Sequence, residues 1–310
     1  MIKKFKYKEI TWIDLESPTK EEVTQIADEY QIHQLVQNEL LQPSLRTKVD
    51  VYNDYLYLIF HFPYCKICQP ADTVPLDKDH QEVDFILGRN LIITAHYEPI
   101  NALHDFAKIF ESDFALKKGT DKLHAGFIFF YILREFYAAL ETNLHFLNDQ
   151  LKKVERKVFS GREREVVEVL AAINREILDC RWSLKSHREI LASLELAGVE
   201  IFGDKFRYYF QTLAGEHAKL WNMLENIRET FIDLRDTNDS LLAIKTNDIV
   251  RVLTVAAFIF LPLTIIPQVF GMNIGYLPFT GHRFDFFFVL ALMALFSALL
   301  YMIARLKKWF

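Results

Sequence analysis

Three cysteines in 310 residues are too few for a disulfide framework, and that usage suits a reducing cytoplasmic compartment. Excess positive charge is also missing. Against 36 basic side chains stand 41 acidic ones, for a net charge of −5, and no basic stripe with interleaved aromatics argues for a nucleic-acid partner. No apolar stretch follows the basic start Met1-Ile2-Lys3-Lys4-Phe5-Lys6, so no secretory leader is expected there. The sequence has no Walker A loop, no Gly-rich dinucleotide turn after a strand and no nucleophile elbow. These absences argue against an enzyme and against transport driven by hydrolysis. Cys65-Lys66-Ile67-Cys68 has metal-ligand or redox spacing, but no second pair follows and His80 is isolated, so incidental thiols are expected.

Charge itself is absent from two stretches, residues 252–269 and 286–304. Each has about 19 residues, close to the roughly 20 that a helix needs to cross the hydrocarbon core. Residues 270–285 join them as a hairpin, so both ends of the chain lie on one side. Lys245 and Arg251 flank the first stretch and Arg305, Lys307 and Lys308 follow the second, while the loop carries only Arg283 and His282. Positive charge therefore places both termini in the cytoplasm, in a plasma (inner) membrane.

The remainder reads as a soluble, charged protein. Residues 10–15 form a strand, and Ser17-Pro18-Thr19 opens a helix with a capping residue and Pro at its first position. Residues 52–62 are rich in β-formers, and 83–86 with 91–96 flank a Gly88-Arg89-Asn90 hairpin turn. From residue 122 the pattern is helical, with breaks expected at Gly161 and Gly198 and a third helix starting near Asp204. No proline interrupts that helix until Pro262, so it runs into the first apolar stretch and reads as a coiled-coil stalk. Glu225, Glu229, Asp233, Asp236 and Asp239 along it can attract cations. The expected divisions are a 1–118 α/β domain, a 119–203 helical hairpin, a 204–251 stalk, transmembrane helices 252–270 and 286–304, an outer loop 271–285 and a basic tail 305–310. The fold class is α+β followed by long helices and two C-terminal transmembrane helices.

Asn247, Val250, Thr254, Ala257, Leu261, Thr264 and Gln268 are spaced alternately by three and four, which puts them on one helix face. Amides and hydroxyls on a membrane helix face partners or a water-filled path. Two spans cannot enclose such a path, so several copies must surround it. The stripe has neutral oxygens and no carboxylate, which suits Mg²⁺, an ion that gives up its water reluctantly. Leu261 and Val250 are candidate dewetting constrictions. Thr254 and Thr264 have a plainer reading, in which they bond their own backbone or a neighbouring helix.

Phe270-Gly271-Met272-Asn273-Ile274, just after the first span, resembles the Gly-Met-Asn signature of the CorA family of divalent cation channels. Asn247 to Thr254, Phe260-Leu261-Pro262-Leu263-Thr264 and the tail Lys307-Lys308-Trp309-Phe310 agree with it. So do Trp12-Ile13-Asp14-Leu15, Arg46-Thr47-Lys48-Val49-Asp50 and Asp84-Phe85-Ile86-Leu87-Gly88. The resemblance implies a funnel-shaped homopentamer in a lipid bilayer, carrying Mg²⁺ or Co²⁺, with Gly271, Met272 and Asn273 as the selectivity motif. Asn273 would ring the outer mouth, Gly271 would let the chain turn sharply, and the stripe would line the pore. No cofactor is implied beyond transported or regulatory Mg²⁺, for which Asp236 is the candidate ligand. The loop after the motif departs from the magnesium pattern: Gly275-Tyr276-Leu277-Pro278 carries no acid and is similar to the zinc-transporting ZntB branch. Alternatives are therefore a zinc transporter, with or without proton coupling, or a membrane-anchored coiled-coil sensor without conductance.

Overall fold

In the computed structural model, residues 1–44, 46–68, 80–111, 124–272 and 285–307 are described. The chain divides into two units, Met1–Arg235 and Asp236–Phe310.

The first unit is built on a six-stranded sheet. Its strands are β1 (Ile2–Tyr7), β2 (Ile10–Glu16), β3 (Lys48–Val51), β4 (Tyr55–Pro63), β5 (His80–Gly88) and β6 (Leu91–His96). They lie in the order β1-β2-β6-β5-β4-β3, and only the β2–β6 pair is parallel. All nine residues of β4 are buried, so both faces of the sheet are covered. On one face Ile13, Leu15, Tyr57, Ile59, Ile86 and Ile93 pack with Val23 and Ile26 of α1 (Lys20–Tyr30) and Val36 of α2 (Gln34–Glu39). On the other, Trp12 meets Phe106 and Phe110 of α3 (Asn101–Glu111). Phe60 and Phe62 meet Phe129 and Phe136 of α4 (Ala125–Phe159) and His187 of α5 (Val167–Phe202). Period-two alternation thus feeds two cores from one sheet, and each fully buried aromatic contributes roughly 1.5–3 kcal/mol.

Helix α1 begins two residues later than Ser17-Pro18 suggests. Thr19 is the cap: its hydroxyl accepts from Glu22 N–H while the Glu22 carboxylate accepts from Thr19 N–H. Ser17 is taken by the sheet, donating its hydroxyl to Tyr97 O and its N–H to His96 O. The long helices also break differently. Helix α5 passes straight through Gly198 and stops at Gly203, whose φ of 87° and ψ of 163° few other residues adopt. Gly198 is needed for space instead, because a Cβ there would lie 2.4 Å from the Phe210 ring.

Helix α6 spans Arg207–Phe270, and α7 spans Asp285–Leu306. In the first unit α6 buries Phe210, Leu213, His217, Leu220, Leu224, Ile227, Phe231 and Leu234. That is a heptad seam, but it packs on helices of its own chain rather than on a second copy. His217 Nε2 bonds Leu184 O of α5, and Lys219 and Glu216 pair with Glu141 and Arg134 of α4. Glu225, expected to attract cations, is held by Arg181 and Arg228.

The reading of Cys65 and Cys68 as incidental thiols is corrected. A 3₁₀ turn, Lys66–Cys68, brings their Cα atoms to 5.2 Å and a disulfide joins them, while Cys180 is free and buried.

Asp84 is a buried acid on the face of the sheet toward α1 and α2. Tyr57 OH donates to its Oδ2 at 3.0 Å. Desolvation, and then the neighbouring Glu82 charge, push the Asp84 carboxyl well above its usual range. A folded pKa raised above the unfolded one gives stability that is full below the unfolded pKa and lost as pH rises through the folded pKa. Asp84→Asn keeps an acceptor for Tyr57 and removes this loss. Thermal melting of the purified protein is expected to show a higher midpoint for Asp84→Asn at pH 8 and little gain at pH 4.

Candidate ion pathway

The second unit contains the apolar end of α6 and all of α7. Both helices are long and apolar enough to cross a membrane, and only 6 % of the most apolar stretch in each is buried within the chain. A core helix of a soluble domain would be mostly covered, so these surfaces need lipid or other copies of the chain.

Along the apolar end of α6 the covered positions are Val255, at 2 % exposure, and the partly covered Ala256, Ile259, Pro262, Leu263, Ile266 and Phe270. On α7 they are Val289, Leu292, Met293, Ser297, Leu300 and Ala304, with Ala304 fully buried. At 100° per residue, the covered face of α6 lies roughly opposite the stripe predicted from the sequence. All seven stripe residues are exposed, with Val250 at 53 % and Leu261 at 61 %. One side of α6 is therefore covered inside the chain, and the side bearing amides and hydroxyls is left open.

Both threonine hydroxyls bond the backbone, as the plainer reading held. Thr254 Oγ1 donates to Val250 O and Thr264 Oγ1 to Leu261 O, each at 2.8 Å. This fixes the direction of the hydroxyl rather than removing it from use. With its hydrogen committed to the helix, each oxygen offers only lone pairs outward. Pro262 and Pro267 lie within the helix and withhold two amide donors from its ladder. Such breaks in membrane helices are satisfied by neighbours, hydroxyls or water.

Gly271 ends α6, and its N–H donates to Pro267 O at 2.8 Å. It stands at a turn, with a bend at Met272, where the helix stops. Among the described residues, positive φ at glycine occurs only at Gly161 and Gly203. At Gly271 a Cβ would sit a tight 3.1 Å from Pro267 O, the carbonyl that accepts its N–H. Met272 is exposed, and Asn273 lies outside the described residues.

Asp236 is exposed on α6, and its carbonyl oxygen accepts the Ser240 hydroxyl. Among the described residues, no three His, Cys, Asp or Glu side chains stand together as a ready metal cluster.

Comparison with known proteins agrees with this architecture. The sequence matches the family described as CorA-like Mg²⁺ transporter protein over residues 7–307. It is 25 % identical over 304 residues to the cobalt/magnesium transport protein CorA of Thermotoga maritima, covering 96 % of this chain and 83 % of that one. The fold resembles the complete structure of the CorA magnesium transporter from Methanocaldococcus jannaschii, with a TM-score of 0.81 and 24 % identity over 99 % of this chain and 93 % of that one. A weaker likeness, with a TM-score of 0.55 and 11 % identity, joins 76 % of this chain to 89 % of the ZntB cytoplasmic domain from Vibrio parahaemolyticus.

If the two hydroxyl oxygens face a conducting path, replacing both by methyl groups should slow ions without altering the fold. Combined Thr254→Val and Thr264→Val is expected to lower cation flux in proteoliposomes on the order of tenfold, given about 1 kcal/mol per hydrogen bond. Serine at both positions should keep most of it.

Proposed function

Because the chain belongs to the CorA-like Mg²⁺ transporter family, we propose that it carries Mg²⁺, and Co²⁺ as a second substrate, down the membrane potential through a pore formed by identical copies. The observation that carries this reading is the exposed stripe of neutral oxygens on α6, opposite the face that the chain covers. Two spans cannot surround water, so first spans of several copies meet about a common axis, and the family resemblance supports five of them. Helix α7, with Ser297 and Tyr301 as its polar members, faces lipid. Both termini lie in the cytoplasm of a plasma (inner) membrane.

The ion passes with most of its water. Mg²⁺ binds water strongly, and a ring of amide and hydroxyl acceptors can bond that shell without stripping it. Asn273 meets the shell at the outer mouth, with Gly271 and Met272 completing the motif. Below it, Gln268, Thr264, Leu261, Ala257, Thr254, Val250 and Asn247 follow in descending order. Two charges crossing 100 mV gain about 4.6 kcal/mol, enough to drive inward movement without hydrolysis. Leu261 and Val250 form the narrow apolar rings that close by dewetting. A regulatory Mg²⁺ at Asp236 takes donors from more than one copy. The likeness to the ZntB domain extends to the fold alone, so magnesium and cobalt, the ions of the curated CorA relative, are preferred to zinc.

The test is Mg²⁺ uptake into liposomes holding the purified protein, with an inside-negative potassium diffusion potential. Uptake is expected to follow the potential, to be blocked by cobalt(III) hexaammine and to fall to background in Asn273→Ala. Uptake that is unchanged in Asn273→Ala, or that needs a proton gradient and Zn²⁺, would overturn the reading.

A further inference from the structure

We propose that Cys65 and Cys68 form a reversible dithiol–disulfide centre, positioned by Glu176, that exchanges with low-molecular-weight thiols and their disulfides. The pair lies just beyond the end of β4, on the turn Lys66–Cys68. Cys65 is buried at 3 % exposure, while Cys68 is partly exposed and open to attack. Glu176 of α5 reaches the turn from the neighbouring layer. Its Oε1 accepts the N–H groups of Lys66 at 3.0 Å and Ile67 at 3.3 Å, the two residues between the cysteines. Cys68 N–H donates to Cys65 O at 3.3 Å and completes the turn.

A carboxylate is a costly residue for this position. Glu176 is 3 % exposed, on a helix face whose neighbours Ile173, Ile177 and Cys180 are buried. Burial pushes its carboxyl up to about 6, against the two backbone donors that pull it down. Its other oxygen, Oε2, is buried with no hydrogen-bond partner among the described residues. An acid that serves only to fill space would be replaced by an apolar residue at no loss. Its particular effect is to hold the two N–H groups that set the Cys65–Cys68 spacing, so it raises the effective concentration of one sulfur at the other. Cys180, on the same face, does not compete. Burial, and then the Glu176 and Asp179 charges, raise its thiol far above the usual range, which keeps it protonated and inert.

The chemistry balances with an external disulfide as oxidant. The Cys68 thiolate attacks one sulfur of RSSR, that S–S bond breaks, and RS⁻ leaves and takes a proton. The Cys65 thiolate then attacks the Cys68 sulfur of the mixed disulfide, and the second RS⁻ leaves and is protonated. Two electrons pass from the pair to the external disulfide, giving Cys65–Cys68 and two RSH. Reduction by two RSH is the reverse. In a reducing compartment, a closed pair of this kind is redox-active rather than structural. The cytoplasmic placement rests on the topology proposed above, whereas the assay below needs no transport and stands or fails separately.

Full-length protein in detergent is equilibrated with mixtures of reduced and oxidised glutathione, quenched in acid and alkylated, and the peptide carrying residues 65–68 is weighed. Interconversion of open and closed forms across those mixtures is expected, with Cys180 a thiol throughout. Glu176→Ala should lower the closing constant on the order of tenfold, and Glu176→Gln, which keeps an oxygen acceptor, should stay within about threefold of the parent. A pair that remains open in excess oxidised glutathione, that remains closed in excess dithiothreitol, or that recruits Cys180 would overturn the proposal. Equal constants for Glu176→Ala and the parent would remove Glu176 from it.

Discussion

A polar oxygen cannot face hydrocarbon without a partner. Each unsatisfied polar group there costs several kcal/mol; Thr254 and Thr264 meet this need through Val250 O and Leu261 O, while the Asn247 and Gln268 amides at the two ends of the exposed stripe need partners other than lipid tails. Nor does the chain cover it, because its covered face carries Val255, Ile259 and Ile266 on the other side of the helix. Water is the partner the proposed function assigns to those amides, and water within a membrane needs walls. Leu253, Phe258, Phe260 and Ile265, exposed beside the stripe, are the apolar flanks that further copies would cover. The proposed oligomer, aqueous path and ion passage thus all rest on one uncovered helix face.

Helix α6 does two different jobs along its length. Over Phe210 to Leu234 its seam is buried against helices of its own chain, and the acids beside it are engaged in ion pairs: Glu216 with Arg134 and Glu225 with Arg181. Further on, Glu229, Asp233, Asp236 and Asp239 are exposed. The stripe that starts at Asn247 does not continue the register of the buried seam, so the helix changes the face it uses as its surroundings change from protein to membrane.

Much of this was legible in the sequence because a physical necessity wrote it there. An uncharged run of about 19 residues has few uses other than crossing a bilayer. The β5–β6 turn at Arg89-Asn90 and the seven-residue stripe follow from period alone. Other features were not legible, because one residue type answers several needs. A glycine signals either an unusual backbone angle, as at Gly203, or a lack of space, as at Gly198, and the sequence does not say which. The Ser17-Pro18-Thr19 segment offers two caps, and only the bonds from Ser17 to the β6 end decide for Thr19. Glu176 was invisible because a helical pattern tolerates one acid among apolar residues; its role appears only when the turn at Lys66 is brought against it.

The threonines also bear on the sign of the ion. A hydroxyl with a free hydrogen can serve either an anion or a cation, since it donates as readily as it accepts. Thr254 and Thr264 have lost that choice, because their hydrogens are held by the carbonyls of Val250 and Leu261. Waters around a cation point their hydrogens outward and so need acceptors. Waters around an anion direct a hydrogen toward it and present oxygen outward. In the proposed pore, such fixed acceptors would favour the hydrated cation without any formal charge on the wall, and a stripe without carboxylates would leave the ion free to move on.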